Sequence, residues 1–179
     1  VFNPLAAPAA AILGWIVVEK LRTGKATAVG AVSGVVAGLV AITPACANLT
    51  PGWALLLGLI AGAVCALAIE LKFNLGFDDS LDVVGLHLVA GIIGTLYLGL
   101  FATDTGLFVG GDAGQLVVQT ISVLAVAIFS FAASWLIGTA IQKTIGFRVT
   151  SEEEIAGIDL AVHGESGYAM SSRGTVPAE

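Results

Sequence analysis

Charged residues cut this chain into long apolar runs. The first extends from Val1 to Val18 and stops at Glu19, Lys20 and Arg22. A second runs from about Ala26 to Leu49, a third from Trp53 to Ile69, a fourth from about Ser80 to Ala102, and a fifth from about Gly114 to Ile141. A helix rises about 1.5 Å per residue and needs about 20 apolar residues to cross the hydrocarbon of a bilayer. Each run is therefore predicted to be a transmembrane helix. The fold class that follows is all-α, a polytopic helix bundle with five spans over residues 1–142, then a tail over 143–170 and a disordered end over 171–179. The chain opens at Val1 inside an apolar run, without a basic n-region or cleavage site. The expectation is part of a longer chain rather than a signal peptide.

Composition sharpens this. Of 179 residues, 57% are hydrophobic and 11% charged, where a soluble domain has about 25% charged. An ordinary water-soluble enzyme is excluded. Lys and Arg number 7 against 13 Asp and Glu, with no basic stripe, so nucleic acid is not expected as a partner. Cys46 and Cys65 form neither a disulfide framework nor a zinc spacing and are expected as small buried residues. Gly30, Gly34 and Gly38, and again Gly58 and Gly62, recur every four residues, the spacing that lets two membrane helices approach closely.

The bases fix an orientation. Lys20, Arg22 and Lys25 follow span one, Lys72 follows span three, and Lys143, Arg148 and Arg173 follow span five. The connections at 48–52 and 103–112 hold none, although the second carries Asp104 and Asp112. The positive-inside rule then places the C-terminus in the cytoplasm and residue 1 outside.

Chemistry concentrates in span four. It begins Asp78-Asp79-Ser80-Leu81-Asp82 and reaches His87, about 12 Å beyond Asp79 at 1.5 Å per residue and approaching the midplane. Helical steps link Val84, His87, Gly91, Gly94 and Thr95 into a small-residue face expected to point into the bundle, with Leu86, Ile93 and Leu100 towards lipid. An ionisable group in the membrane marks a substrate or ion path by default; the other reading of His87 is an interhelical hydrogen bond. Asp82, with Asp78 and Asp79, is expected to complement the helix N-terminus as a structural acid. Thr43-Pro44 interrupts span two and either shapes a pore mouth or ends a helix. No hydrolase, zincin or phosphate-loop motif is present, and a single histidine in the membrane makes no metal cage. No cofactor is expected.

The tail changes character. From Thr150 onward there are six acids against Arg173, which is five of the chain's six net negative charges. Ser151 is predicted as an N-cap with Glu154 at N3, opening a helix with Ile155, Ile158 and Val162 on one side. That helix either docks on the cytoplasmic face or stays solvated.

Several of these runs together resemble the ammonium transporter (Amt/Mep/Rh) family. Asp78-Asp79-Ser80-Leu81-Asp82-Val83-Val84-Gly85-Leu86-His87, continuing to Gly91 and Gly94, is similar to its D-D-x-x-D-V-x-G-x-H-x-x-x-G-x-x-G signature. Ala41-Ile42-Thr43-Pro44-Ala45-Cys46-Ala47 resembles its T-P-A-C-G segment, with Ala47 where Gly is usual. Gly146-Phe147-Arg148-Val149, Glu152-Glu153-Glu154, Gly157-Ile158-Asp159 and His163-Gly164-Glu165 resemble its cytosolic tail. The resemblance covers almost the whole chain, in order. It implies an inverted-repeat fold of eleven helices, of which these are the last five, and a homotrimer with one narrow apolar pore per subunit in the cell (plasma or inner) membrane. By resemblance ammonium loses its proton at an outer vestibule, and ammonia passes two facing histidines. His87 is the second of these, Thr43 lies by the path, and Asp82 is the acid at that helix start. The first histidine would lie outside this chain. The resemblance further implies transport of ammonium, ammonia and methylammonium, a tail in which Arg148, Glu154, Gly157, Asp159 and His163 act in regulation, and a PII-type nitrogen regulator at the cytosolic face. Two rivals stand beside it: an ammonium sensor signalling through the tail, and an unrelated transporter in which His87 relays protons.

Overall fold

Every regular element is a helix in the computed structural model of the chain, which describes residues 1–165. The expected disordered end at 171–179 and the last part of the tail, 166–170, lie outside the described residues. α1 (Asn3–Thr23) and α2 (Ala28–Ile42) come first. α3 (Pro51–Ala68) continues through a turn into the short α4 (Leu71–Leu75), a single apolar stretch of 25 residues. A π-helical turn (Val84–Leu88) leads into α5 (Val89–Phe101), then α6 (Ala113–Thr144) and the short α7 (Ser151–Ala156). Four stretches are long and apolar enough to span a membrane: Asn3–Thr23, Pro51–Leu75, Val84–Phe101 and Ala113–Thr144. The chain is a multi-pass membrane protein. It divides into two units, Val1–Ile128 and a second beginning at Phe129, so α6 starts in one and ends in the other.

The second span is shorter than its apolar run. α2 stops at Ile42 rather than continuing to Leu49. Pro44 lacks an N–H and its ring would meet the carbonyl of Val40, so the helical ladder ends there. Fifteen residues rise about 22 Å, less than the roughly 30 Å of hydrocarbon, leaving the turns at 43–48 as irregular backbone at membrane depth. Such backbone survives only where protein satisfies it. The Asn3 amide does so, donating to the carbonyls of Cys46 at 3.0 Å and Leu49 at 2.7 Å. The Thr103 N–H bonds the Asn48 carbonyl at 2.8 Å. Asn3 is a buried polar residue near the start of α1, in a run that otherwise reads as apolar.

α1 packs against both α2 and α3. The glycine repeats make this possible, as their spacing predicts. A Cβ at Gly58 would overlap the carbonyl oxygen of Ala7, one at Gly62 that of Ala11, and one at Gly38 would press on the Pro8 backbone. On α5, Gly94 meets the Ala41 carbonyl in the same way. The core is accordingly built of small residues, with Ala7, Ala11, Ala37, Ala41, Ala61 and Cys65 wholly buried around Leu57.

Polar pins close both ends of this unit. At one end Thr27 caps α2 by accepting from the Gly30 N–H at 2.9 Å, and the Glu19 carboxylate accepts from the Thr27 hydroxyl at 2.7 Å. Beside it Arg22 pairs with Glu70 at 2.6 Å. At the other end Trp53 stacks on Phe101 with ring centres 4.3 Å apart, and the Tyr97 hydroxyl donates to the Trp53 carbonyl at 3.1 Å.

Candidate functional site

The site grows from the segment between α4 and α5, where the carboxylates of Asp79 and Asp82 do different things. Asp79 is the cap: its two oxygens accept from the amides of Val83 at 2.7 Å and Val84 at 2.8 Å. These donors open the π-helical turn, and a carboxylate is the natural partner for unsatisfied N–H groups at a helix start. Asp82, expected to share that task, instead pairs through Oδ1 with the Lys72 ammonium at 2.6 Å, both side chains half-buried. Lys72 also donates to the Asp79 carbonyl at 3.0 Å. Asp82 sits at φ +56°, in the left-handed region, where Asp is better tolerated than most L-residues.

The π-helical turn changes which side chains face the core. It holds one residue more than an α-turn, so positions before and after it are rotated relative to a uniform helical count. Gly85, Leu86, Ala90, Gly94, Tyr97 and Leu98 form the buried side. Leu86, expected towards lipid, is only 6% exposed. His87 does not share the packed face of Gly94; it is exposed on this chain, and a Cβ at Gly91, one turn on, would meet nothing within 4 Å. The 12 Å helical count from Asp79 does not apply either, because regular helix begins only at Val84. His87 is thus carried on a braced backbone with its ring free of the core formed by α1, α2, α3 and α5.

Thr43 is exposed and its hydroxyl donates to the Leu39 carbonyl at 2.7 Å, closing the last turn of α2. Cys65 is buried as expected, but Cys46 is exposed, because it follows the break at Pro44 and leaves the helical face that would have covered it. Sequence reasoning missed Asn3, whose only signal is a lone amide in an apolar run. It also missed Lys72, read as a marker of topology alone.

In the second unit the capping box forms one residue earlier than expected. Two overlapping S/T-x-x-E frames are present, and the hydrogen bonds close on the first: Thr150 is the N-cap and Glu153 is N3. The Glu153 N–H donates to the Thr150 hydroxyl at 3.3 Å, and the Thr150 N–H donates to Glu153 Oε2 at 2.8 Å. The single helix expected from Ser151 to Val162 is broken. α7 ends at Ala156, and a π-helical turn follows at Asp159–His163. Between them Gly157 takes φ +94° and ψ +125°, which a residue with a side chain rarely adopts. A Cβ on Gly157 would meet no described atom within 4 Å, so its need is conformational rather than a close approach. Ile155, Ile158 and Val162 are exposed, and Glu154 and His163 stand on the surface. Arg148 lines a cleft with Trp135, Lys143 and Phe147.

The bond from the Thr150 backbone, followed by that from its hydroxyl, holds the Glu153 carboxyl below its ordinary value of 4.5. A lowered folded value means a contribution that is complete above the ordinary value and lost as pH falls through the folded one. Protection of the Glu153 amide from hydrogen exchange is therefore expected to be flat around neutrality and to decline in acid. Glu153→Gln is expected to remove that decline, and an unchanged acid profile in this variant would show that the box does not set it.

Among the described residues no group of three His, Cys, Asp or Glu side chains is placed to hold a metal. A sequence model described as the Ammonium Transporter Family matches residues 1–168. A curated ammonium transporter of Mycobacterium tuberculosis is 48% identical over 185 residues, covering 96% of this chain and 39% of the relative. One of Bacillus subtilis is 42% identical over 177 residues, covering 94% and 44%. The crystal structure of Candida albicans Mep2 superposes with a TM-score of 0.77 at 32% identity, over 85% of this chain and 36% of that one. The chain spans about two fifths of the length of the curated relatives it matches.

Proposed function

Because the chain belongs to the ammonium transporter family, we propose that it supplies part of a path for ammonia across the cell membrane, with His87 as the group that lines that path and Thr43 near its mouth. The observation that carries this reading is His87 itself: the signature from Asp78 to His87 is intact, and its ring stands clear of the core on a capped, ion-paired turn. Entering an apolar passage, ammonium is favoured to shed its proton, since desolvation penalises the charged form. A neutral imidazole then donates to or accepts from ammonia without adding charge to the route. This is transport and not enzymatic turnover. The orientation follows the bases, with the C-terminus in the cytoplasm.

The tail belongs to the same proposal as its regulator, through Arg148, Glu154, Gly157, Asp159 and His163, in a homotrimer that offers a PII-type protein its cytosolic face. The test is uptake of labelled methylammonium by cells expressing a full-length ammonium transporter that carries these residues. Uptake above empty cells is expected, with none from residues 1–179 alone, and the absence of uptake by the full-length protein would overturn the transport reading. In the same assay Gly157→Asp is expected to lower uptake without lowering the amount in the membrane, because Gly157 holds a backbone that Asp rarely adopts. Full uptake by that variant would remove the tail from the mechanism. An elution position other than a trimer would refute the assembly, and a PII-type protein that fails to co-elute would refute that partner.

A further inference from the structure

We propose that Lys72 is a positioning residue for His87, acting through the Asp79–Asp82 turn; this rests on the reading of His87 as the path-lining group. Three sets of contacts run in series. The Lys72 ammonium joins Asp82 Oδ1 at 2.6 Å and the Asp79 carbonyl at 3.0 Å, gripping both ends of the four-residue turn. From that turn the Asp79 carboxylate holds the Val83 and Val84 amides, and the Asp82 carbonyl accepts from the Leu86 amide at 2.7 Å. Those amides belong to the backbone that carries His87, one residue beyond Leu86.

The turn needs a brace. Asp82 is one of two non-glycine residues at positive φ among the described positions, a conformation that persists where surrounding contacts over-determine it. A π-helical turn is rare and occurs mostly as a single turn within an α-helix, frequently at a functional site. Lys72 comes from α4, so the brace ties the end of the third span to the start of the fourth. Moving it would let the π-helical turn relax towards α-helix, rotating His87 away from its present direction while leaving the buried face of α5 in place.

The experiment measures methylammonium uptake per assembled transporter, over a range of concentrations, in a full-length ammonium transporter carrying these residues. Lys72→Met and Asp82→Asn are each expected to lower the maximal rate about ten-fold, the size of a coupled contact pair, with little change in the half-saturating concentration. The double variant is expected to be no slower than either single one, and Lys72→Arg to recover at least half the rate. If Lys72→Met transports at the unsubstituted rate while His87→Ala is inactive, the positioning role is overturned and the His87 reading stands. A double variant much slower than both singles also overturns it. If His87→Ala transports normally, the reading falls and the proposal with it. Should Lys72→Met fail to reach the membrane, Lys72→Gln, which keeps a long stem and a donor, is measured in its place. Loss of both from the membrane with recovery by Lys72→Arg would make Lys72 purely structural and overturn positioning.

Discussion

His87→Ala, in a full-length ammonium transporter carrying these residues, is expected to cut methylammonium uptake to a few per cent or less while the protein still assembles. The ring is exposed and lies outside the core of α1, α2, α3 and α5, so its removal opens no cavity there and leaves Gly85, Leu86 and Ala90 packed as before. On the proposed path, what disappears is a hydrogen-bonding group for ammonia, and losing about 2–3 kcal/mol of such solvation corresponds to a rate loss of roughly 30- to 150-fold. His87→Asp is expected to differ in kind. A fixed negative charge on the route attracts cations, so exclusion of potassium should weaken. Measuring uptake and potassium current on the same membranes separates the two effects. An Ala variant that transports normally would show that ammonia does not pass this side chain.

The second large effect lies far from His87. Gly62→Leu is expected to abolish assembly, destabilising the bundle by at least about 3 kcal/mol, the upper end of overpacking costs. A Cβ at position 62 overlaps the backbone carbonyl of Ala11 rather than the tip of a flexible side chain, so relief requires α1 and α3 to separate. Separation would also break the Gly58–Ala7 approach and draw Asn3 away from the Cys46 and Leu49 carbonyls. Gly52→Leu is the control, because a Cβ there meets nothing within 4 Å. The amount of folded protein recovered from membranes decides it, and equal recovery of both variants would show that the close approach is not needed.

Much of this was legible in the residues because membrane helices announce themselves by length and charge. Glu19 to Arg22 ends α1, Lys143 falls in the last turn of α6, and glycines four apart mark the surfaces that meet. Pro44 identified an interruption, and only the structure decided that it ends a helix. The roles of Asp79 and Asp82 were not separable along the chain. Both are carboxylates near the same helix start, and the choice between them depends on where Lys72, ten residues before Asp82, comes to lie. The π-helical turn has no sequence signature, so a uniform helical count put His87 on the packed face and Leu86 on the outer one. In the tail, Thr150 and Ser151 offer equivalent caps, and local pattern alone could not rank them.

The partners of α1 also carry a temporal order. α2 and α3 follow it directly in the chain, and all three bury glycine and alanine surfaces on one another with no later segment between them. Short loops close at little entropic cost, and local contacts form before distant ones. During synthesis, then, the hairpin of α1 and α2 is ready as soon as α2 has left the ribosome, and α3 completes a three-helix nucleus before span four is made. At that stage the irregular backbone at 43–48 already has its own turn bonds and the Asn3 amide, and the Thr103 bond to the Asn48 carbonyl is added later. The histidine-bearing helix arrives at a platform already built, with the Ala41 carbonyl and Ile69 in place to receive Gly94 and Gly85.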